Sequence, residues 1–118
     1  MNYARFYGDG PRAGSPADKL LGYPALETIL GMHPAFFVAT GDSVYYDVPF
    51  GRFERTQAFM RQKWHEQLVQ PRMIALFAEV PTYWEKDDHD TYNIDGWPGQ
   101  TVAWMKPFTF QQGLATFR

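Results

Sequence analysis

The chain has 118 residues, of which 45% are hydrophobic and 18% aromatic, so it is long enough for one domain and too apolar to be disordered. Its formal net charge is -2 and its Lys and Arg residues are scattered, so no basic stripe indicates nucleic-acid binding. The lack of cysteine excludes disulfide bonds and thiolate metal sites within these residues, and no apolar run of about 18 residues could cross a membrane.

The N-terminal part of the chain predicts an irregular segment, a helix and a strand, in that order. Residues 1–23 are rich in glycine and proline, which is typical of a long loop. Pro24 to Met32 carries apolar residues on one helical face and a proline in the first turn, so a short helix is expected there. The apolar run Ala35 to Ala39 predicts a strand that is buried on both faces of a sheet.

Helices and a second strand are predicted for the rest of the chain. Glu54 to Gln70 predicts an amphipathic helix, which Pro71 ends. The apolar side chains expected on the core face of this helix are Phe59, Trp64 and Leu68. A second helix is predicted over Arg72 to Ala78, and a strand over Val80 to Trp84. Asn93 to Pro107 is rich in turn residues, and a last helix is predicted after Thr109, which is a plausible N-cap. This order predicts an α/β fold with mostly parallel strands joined by helical crossovers.

A first cluster of polar residues, Gly41 to Asp47, comes directly after the first predicted strand. Asp42 offers a hard oxygen ligand at a strand end, where catalytic groups of α/β sheets tend to lie. Tyr45 offers a phenol that a strongly Lewis-acidic metal can deprotonate. The alternative is a turn in which Asp42 caps the next segment and the tyrosines pack. Tyr46 and Asp47 either line a pocket or face solvent.

A second cluster, Asp87 to Asp90, follows the second predicted strand and contains three carboxylates and an imidazole. Without a cation these carboxylates would repel one another, and their pKa values would rise. A bound divalent metal removes this conflict, whereas a solvated acidic turn needs no metal. Because parallel strands end at the same edge of a sheet, we expect Asp42 and Asp88 to converge there within about 10 Å, as a shared metal cluster requires.

The two remaining histidines are weaker candidates for a functional site. His33 lies beside Pro34 at a predicted helix end, where a capping role is expected. His65 lies inside a predicted helix and lacks the second histidine of a zinc-binding helix, so a structural role is expected.

Together the two clusters resemble the sequence blocks of a known enzyme family. Gly41-Asp42-x-x-Tyr45 resembles the second block of the calcineurin-like metallophosphoesterases, in particular the purple acid phosphatases and the alkaline phosphatase D (PhoD-like) family. Asp87-Asp88-His89-Asp90 resembles the PhoD-like variant of the third block. Further stretches follow in the PhoD-like order: Phe37 to Asp47, Arg61-x-x-Trp64, Pro81-x-Tyr83 and Phe110-x-x-Gly113-Leu114. The resemblance covers nearly the whole chain and implies part of a metallo-dependent phosphatase-like αββα sandwich.

The resemblance implies a role for each residue at a matching position. Asp42 corresponds to the carboxylate that bridges two metal ions, and Tyr45 to the phenolate on an iron-like ion. Asp88 stands where most relatives have an asparagine ligand of the second metal, and its charge favours a hard cation such as calcium. His89 corresponds to the histidine that contacts the phosphate or protonates the leaving oxygen.

The resemblance also implies the supporting residues, the metals and the reaction. Asp87 and Asp90 are expected to flank the site, with Asp90 orienting His89. The implied centre is dinuclear or multinuclear, with Fe³⁺ and Ca²⁺ favoured over other divalent metals. It would hydrolyse a small-molecule phosphomonoester or phosphodiester by hydroxide attack between two metals. The family resemblance further implies an extracytoplasmic location in a bacterium.

The family pattern also contains blocks that this chain lacks, so residues 1–118 are expected to form a partial PhoD-like domain. The missing parts are an upstream block that usually includes a cysteine and the C-terminal histidine and aspartate ligands. The chain alone is therefore expected to be inactive, whereas the complete enzyme is expected to be active. One alternative is a non-catalytic binding or scaffold module. The other is a calcium-binding interaction module, although residues 87–90 lack the spacing of an EF-hand.

Overall fold

The computed structural model describes residues 2–48 and 55–117, which form short helices and a small parallel sheet. The helices are α1 (Tyr3–Tyr7), α2 (Pro16–Leu21), α3 (Pro24–Gly31), α4 (Gln57–Leu68), α5 (Pro71–Glu79) and α6 (Phe110–Phe117). The strands are β1 (Phe37–Thr40) and β2 (Thr82–Glu85), and a 3₁₀ turn covers Ala103–Met105. Within the described ranges, none of the helices combines the length and apolar composition needed to cross a bilayer.

The two strands pair in parallel, with Phe37 opposite Thr82 and Thr40 opposite Glu85. This confirms the parallel pairing predicted for the two apolar runs, with α4 and α5 between them in the chain. The described residues contain only these two strands, so the αββα sandwich stays a prediction.

The expected burial of the first strand on both faces is wrong. Alternate side chains of a strand point to opposite faces. Phe37 packs against the cluster of apolar side chains under α3 and α5, and Ala39 is buried. On the other face Val38 is 39% exposed and Tyr83 is 64% exposed. The sheet is therefore covered by helices on one face only within the described part of the chain.

The buried apolar side chains of the described residues form two clusters, one that includes Met60 of α4 and one between α3 and α5. One contains Val44, Tyr46, Met60, Tyr92, Met105, Phe108 and Phe110. The other contains Leu26, Met73, Leu76 and Val80. Val44 and Tyr46 of the first cluster belong to the loop that follows β1, so this cluster anchors that loop.

Helix α4 faces the core with a different set of residues from the predicted one. Phe59 and Trp64 pack against the first cluster as expected. Leu68 is exposed, and the expectation that it lies in the core is wrong. Met60 and Gln67 are buried instead, because the buried stripe runs through positions separated by about two helical turns. The predicted start of this helix at Glu54 lies outside the described residues.

Residues 1–23 were expected to be an irregular loop, but they contain α1 and α2. Each helix starts at a side-chain cap, because Asn2 accepts from the N–H of Arg5 at 3.0 Å and Ser15 accepts from the N–H of Asp18 at 3.1 Å. Such caps satisfy backbone donors that would otherwise have no helical partner. The many glycines and prolines in this segment predict loops, so the sequence did not indicate these two short helices.

Helix α6 begins as predicted after Thr109. The Oγ1 atom of Thr109 accepts from the N–H of Gln112 at 3.2 Å, and the Oε1 atom of Gln112 accepts from the N–H of Thr109 at 2.9 Å. This reciprocal pair is a capping box. It sets the start of the helix that packs Gly113 against the backbone of Thr91.

Candidate metal and phosphoester site

The loops that follow β1 and β2 meet at one edge of the sheet. Gly41 adopts φ 93° and Asp42 adopts φ 53°, so the chain turns sharply as it leaves β1. A Cβ atom at Gly41 would lie 2.4 Å from the Cβ atom of Asp87. The close approach of the two loops therefore requires glycine at this position. The N–H of Tyr46 also donates to the carbonyl of His89 at 3.0 Å, which joins the loops through their backbones.

Three predicted site residues converge at this edge. Asp42, Asp88 and His89 each offer one ligand atom, and these atoms all lie within 4.8 Å of one another. All three side chains are half-buried. The convergence of Asp42 and Asp88 at one sheet edge is therefore confirmed, while the binding of a metal stays a prediction.

Tyr45 links the first carboxylate to the histidine. Its hydroxyl donates to Oδ2 of Asp42 at 2.7 Å, and its ring stacks on the His89 ring with a centroid distance of 4.4 Å. Burial raises the pKa of the Tyr45 phenol, and the hydrogen bond to Asp42 and the nearby charges of Asp42, Asp47 and Asp88 raise it further. A phenolate at this position therefore requires a strongly Lewis-acidic ion beside it.

His89 is held by a carboxylate that the sequence analysis did not assign to it. Both carboxylate oxygens of Asp47 lie 2.8 Å from Nδ1 of His89. Asp47 is 0% exposed, and its Oδ2 atom also accepts from the N–H of Ile94 at 3.3 Å. An ionised carboxylate only accepts, so this pairing sets the hydrogen on Nδ1 and leaves Nε2 of His89 for a metal or a substrate.

The expectation that Asp90 orients His89 is wrong. Asp90 is buried, and its two oxygens accept from the N–H of Ser43 at 3.2 Å and the N–H of Asp87 at 2.6 Å. Burial raises the pKa of the Asp90 carboxyl despite these hydrogen bonds. Successive side chains in this tight turn point in different directions, so Asp90 ties the two loops together and Asp47 is the partner of the histidine.

The Asp88 carboxylate is oriented by the backbone of its own loop. Its Oδ1 atom accepts from the N–H of His89 at 2.9 Å, and its Oδ2 atom accepts from the N–H of Asp95. Asp87 is exposed, and its Oδ1 atom accepts from the N–H of Asp88 at 2.9 Å. Asp87 therefore flanks the site, as expected, and shapes the loop that carries Asp88.

The other two histidines lie elsewhere and are exposed. His33 follows α3 with φ 49°, and its N–H donates to the carbonyl of Leu30 at 3.0 Å. It thus ends that helix, as expected of a left-handed residue at a helix C-terminus. His65 lies on the surface of α4, and its carbonyl accepts from the N–H of Val69 at 3.0 Å.

The only sequence signal for Asp47 was its place in the polar loop after the first strand. The sequence left it open whether Asp47 and Tyr46 face a pocket or solvent, and both are fully buried. Tyr46 accepts from Nε1 of Trp64 at 2.7 Å and belongs to the first apolar cluster.

No protein-family model, curated protein or solved structure matches this chain.

Proposed function

We propose that this chain carries part of the active site of a metal-dependent phosphoester hydrolase. The observation that supports the proposal is the group formed by Asp42, Asp88 and His89, whose ligand atoms lie within 4.8 Å of one another. A buried carboxylate, Asp47, sits behind the histidine at 2.8 Å. A carboxylate–histidine pair beside two further carboxylates is an arrangement that hydrolytic metal centres use.

The donor set suits one hard or borderline cation. Ligands on opposite sides of a calcium ion lie about 4.6–5.2 Å apart, because each is about 2.3–2.6 Å from the ion. The carboxylate oxygens of Asp42 and Asp88 lie within 4.8 Å of each other, which fits this limit. Tyr45 would add a phenolate next to Asp42 on an ion such as Fe³⁺, since its oxygen is already 2.7 Å from that carboxylate. Together with the further ligands that turnover is proposed to need, the centre would contain Fe³⁺ with Ca²⁺ or another divalent ion.

When bound, such ions stabilise negative charge on phosphate oxygens and activate an attacking water. The chain's own residues would then divide the remaining tasks. Asp42 and Asp88 would hold the ions, and the loops after β1 and β2 bring these two carboxylates together. We assign Nε2 of His89 to the phosphate or to the leaving oxygen; the doubly protonated imidazole, with its other hydrogen on Nδ1 toward Asp47, would donate the Nε2 proton and become neutral. Asp47 keeps the imidazole ring in the orientation that this transfer needs.

Turnover is proposed to need more ligands than this group provides. Two ions about 3.5–4 Å apart must both be held while positions stay open for water and phosphate. Asp42, Tyr45 and Asp88 can hold one cation, and His89 is assigned to the substrate. We therefore expect this chain alone to bind one cation without measurable hydrolysis, and a protein that adds the missing ligands to hydrolyse phosphoesters.

Metal titration of the chain tests the binding half of this proposal. Mn²⁺, Ca²⁺ and Fe³⁺ would be titrated against the wild type, Asp42→Asn and the matched control Asp95→Asn. Both replacements remove one negative charge, and asparagine tolerates the left-handed backbone that Asp42 and Asp95 share. Asp42→Asn should weaken binding at least about tenfold. Equal affinity of the two variants would contradict the site, because Asp95 offers only its backbone N–H to Asp88.

A hydrolysis assay tests the catalytic half in a longer protein that contains this chain and the further metal ligands. Turnover of a chromogenic phosphoester should depend on metal and should disappear in Asp42→Asn. His89→Ala should lower the rate but keep the metal content, because His89 is assigned to the substrate. Loss of metal from that variant would instead make His89 a ligand. Metal binding without any hydrolysis would favour the non-catalytic binding module.

A further inference from the structure

A partly enclosed cavity of about 210 Å³ has Tyr45 as one of its walls. Helix α1, the loop after β1 and helix α4 supply its lining, which is largely apolar. The lining residues are Tyr3, Ala4, Val44, Tyr45, Val48, Phe59, Lys63 and Glu66. The phosphoester chemistry described above does not use this cavity.

Tyr45 belongs to both the cavity and the candidate site. Its hydroxyl donates to Asp42 at 2.7 Å and its ring stacks on His89 at a centroid distance of 4.4 Å, and the residue also lines the cavity. A group bound in the cavity would thus contact a residue that itself contacts Asp42 and His89. The cavity and the site are neighbours in space.

The two charged residues of the lining do not make it an anion site. The Nζ atom of Lys63 donates to the carbonyl of Tyr45 at 2.6 Å and to the carbonyl of Val48, so its charge is directed at the backbone. Its aliphatic stem remains for the cavity wall. Glu66 accepts from Nε2 of Gln62 at 2.8 Å, and its negative charge opposes a second anion. The cavity therefore favours an uncharged apolar group.

We propose that this cavity receives the apolar group of the phosphoester, an aryl ring or a short alkyl chain, and so selects the substrate. This inference rests on the proposed function. The volume of the cavity supports this substrate-binding role, because an apolar cavity of about 150 Å³ is enough to bind benzene. The volume of about 210 Å³ accommodates one ring or a short chain but not a large ligand.

Binding of phenol to the chain tests the cavity without any need for activity. NMR titration would compare the wild type with Ala4→Phe and Ala4→Leu, which fill the cavity to different extents, and with Ala17→Phe. Ala17 is exposed on α2 and is the matched control. Phenol should bind the wild type and Ala17→Phe alike, and about tenfold more weakly to Ala4→Phe. Absence of saturable binding, or equal binding by folded Ala4→Leu and wild type, would overturn the proposal.

Hydrolysis by the longer, metal-loaded protein then tests selection. Phenyl phosphate should be preferred over methyl phosphate, and Ala4→Phe should reduce this preference at least about tenfold, whereas the control Ala17→Phe should hydrolyse both esters at wild-type rates. An unchanged preference in Ala4→Phe would overturn the cavity assignment but leave the hydrolase proposal standing. If neither ester is hydrolysed, the hydrolase proposal is refuted. The phenol titration would still test the cavity proposal independently.

Discussion

Replacing Asp47 by asparagine should separate the orientation of His89 from the binding of metal. Asparagine has nearly the same shape, so it fits the fully buried position of Asp47. The carboxylate now serves two donors, Nδ1 of His89 at 2.8 Å and the N–H of Ile94 at 3.3 Å. Both carboxylate oxygens lie 2.8 Å from Nδ1, and an amide replaces one of them by an NH₂ group, a donor that opposes a hydrogen on Nδ1.

The magnitude follows from the contact that is lost. A hydrogen bond to a charged group contributes about 1.5–3 kcal/mol, which corresponds to about a 10- to 150-fold change in a rate or an equilibrium constant. Replacement of carboxylates that orient a histidine commonly costs about 10–100-fold in activity or affinity. We therefore expect Asp47→Asn to lower turnover about 10–100-fold while metal content stays close to that of the wild type.

Two measurements check this expectation, with Asp95→Asn as the control of equal charge. On the chain itself, NMR should detect a protected hydrogen on Nδ1 of His89 in the wild type and in Asp95→Asn, but not in Asp47→Asn. On the longer, metal-loaded protein that is proposed to be active, steady-state kinetics and metal analysis should show the loss in turnover alone. An unchanged Nδ1 signal together with unchanged turnover would refute the reasoning. A fall in metal affinity by the same factor would instead identify His89 as a metal ligand.

Three further substitutions test the packing and the pH dependence that the structure implies. Gly41→Ala should destabilise the protein by about 2–5 kcal/mol and weaken metal binding, because the new Cβ meets Asp87 and the backbone is left-handed. Gly113→Ala should destabilise it by at least about 1–3 kcal/mol in chemical denaturation, because its Cβ would lie 1.5 Å from the carbonyl oxygen of Thr91. Burial raises the pKa of Tyr23 from 10.0 to about 12, so its stabilising contribution is complete below pH 10 and is lost as the pH rises through about 12. Tyr23→Phe should flatten the pH dependence of the unfolding free energy in that interval.

Matched controls keep these tests specific. A Cβ at Gly31 meets no atom within 4 Å, so Gly31→Ala should leave stability unchanged or raise it by up to about 1 kcal/mol. If alanine is tolerated equally at positions 31, 41 and 113, the close approaches described here are wrong. Tyr83→Phe changes an exposed tyrosine and is the matched control in the same pH titration. A Tyr23→Phe protein with the pH dependence of the wild type would contradict the role of that buried phenol.

Local sequence patterns were sufficient to predict most elements and the position of the candidate site. The apolar runs near positions 37 and 82 form strands, and the helical segments between them allow parallel pairing. Parallel strands end at the same edge of a sheet, which is why Asp42 and Asp88 could be expected to meet. Short capped helices were missed in the first 23 residues, because a single capping side chain is a weak signal among many glycines and prolines.

Tertiary structure alone decided which side chains support the site and which faces are buried. Asp90 is adjacent to His89 in sequence, yet Asp47, 42 residues away, holds the imidazole. Sequence proximity does not determine this, because the direction of a side chain in a tight turn depends on which backbone donors the neighbouring loop presents. The exposure of Val38 and Tyr83 could not be predicted either, because an apolar strand has the same composition whether one or both faces of its sheet are covered. Residue types and strand ends are properties of the local sequence, whereas partners and burial arise only when distant segments pack together.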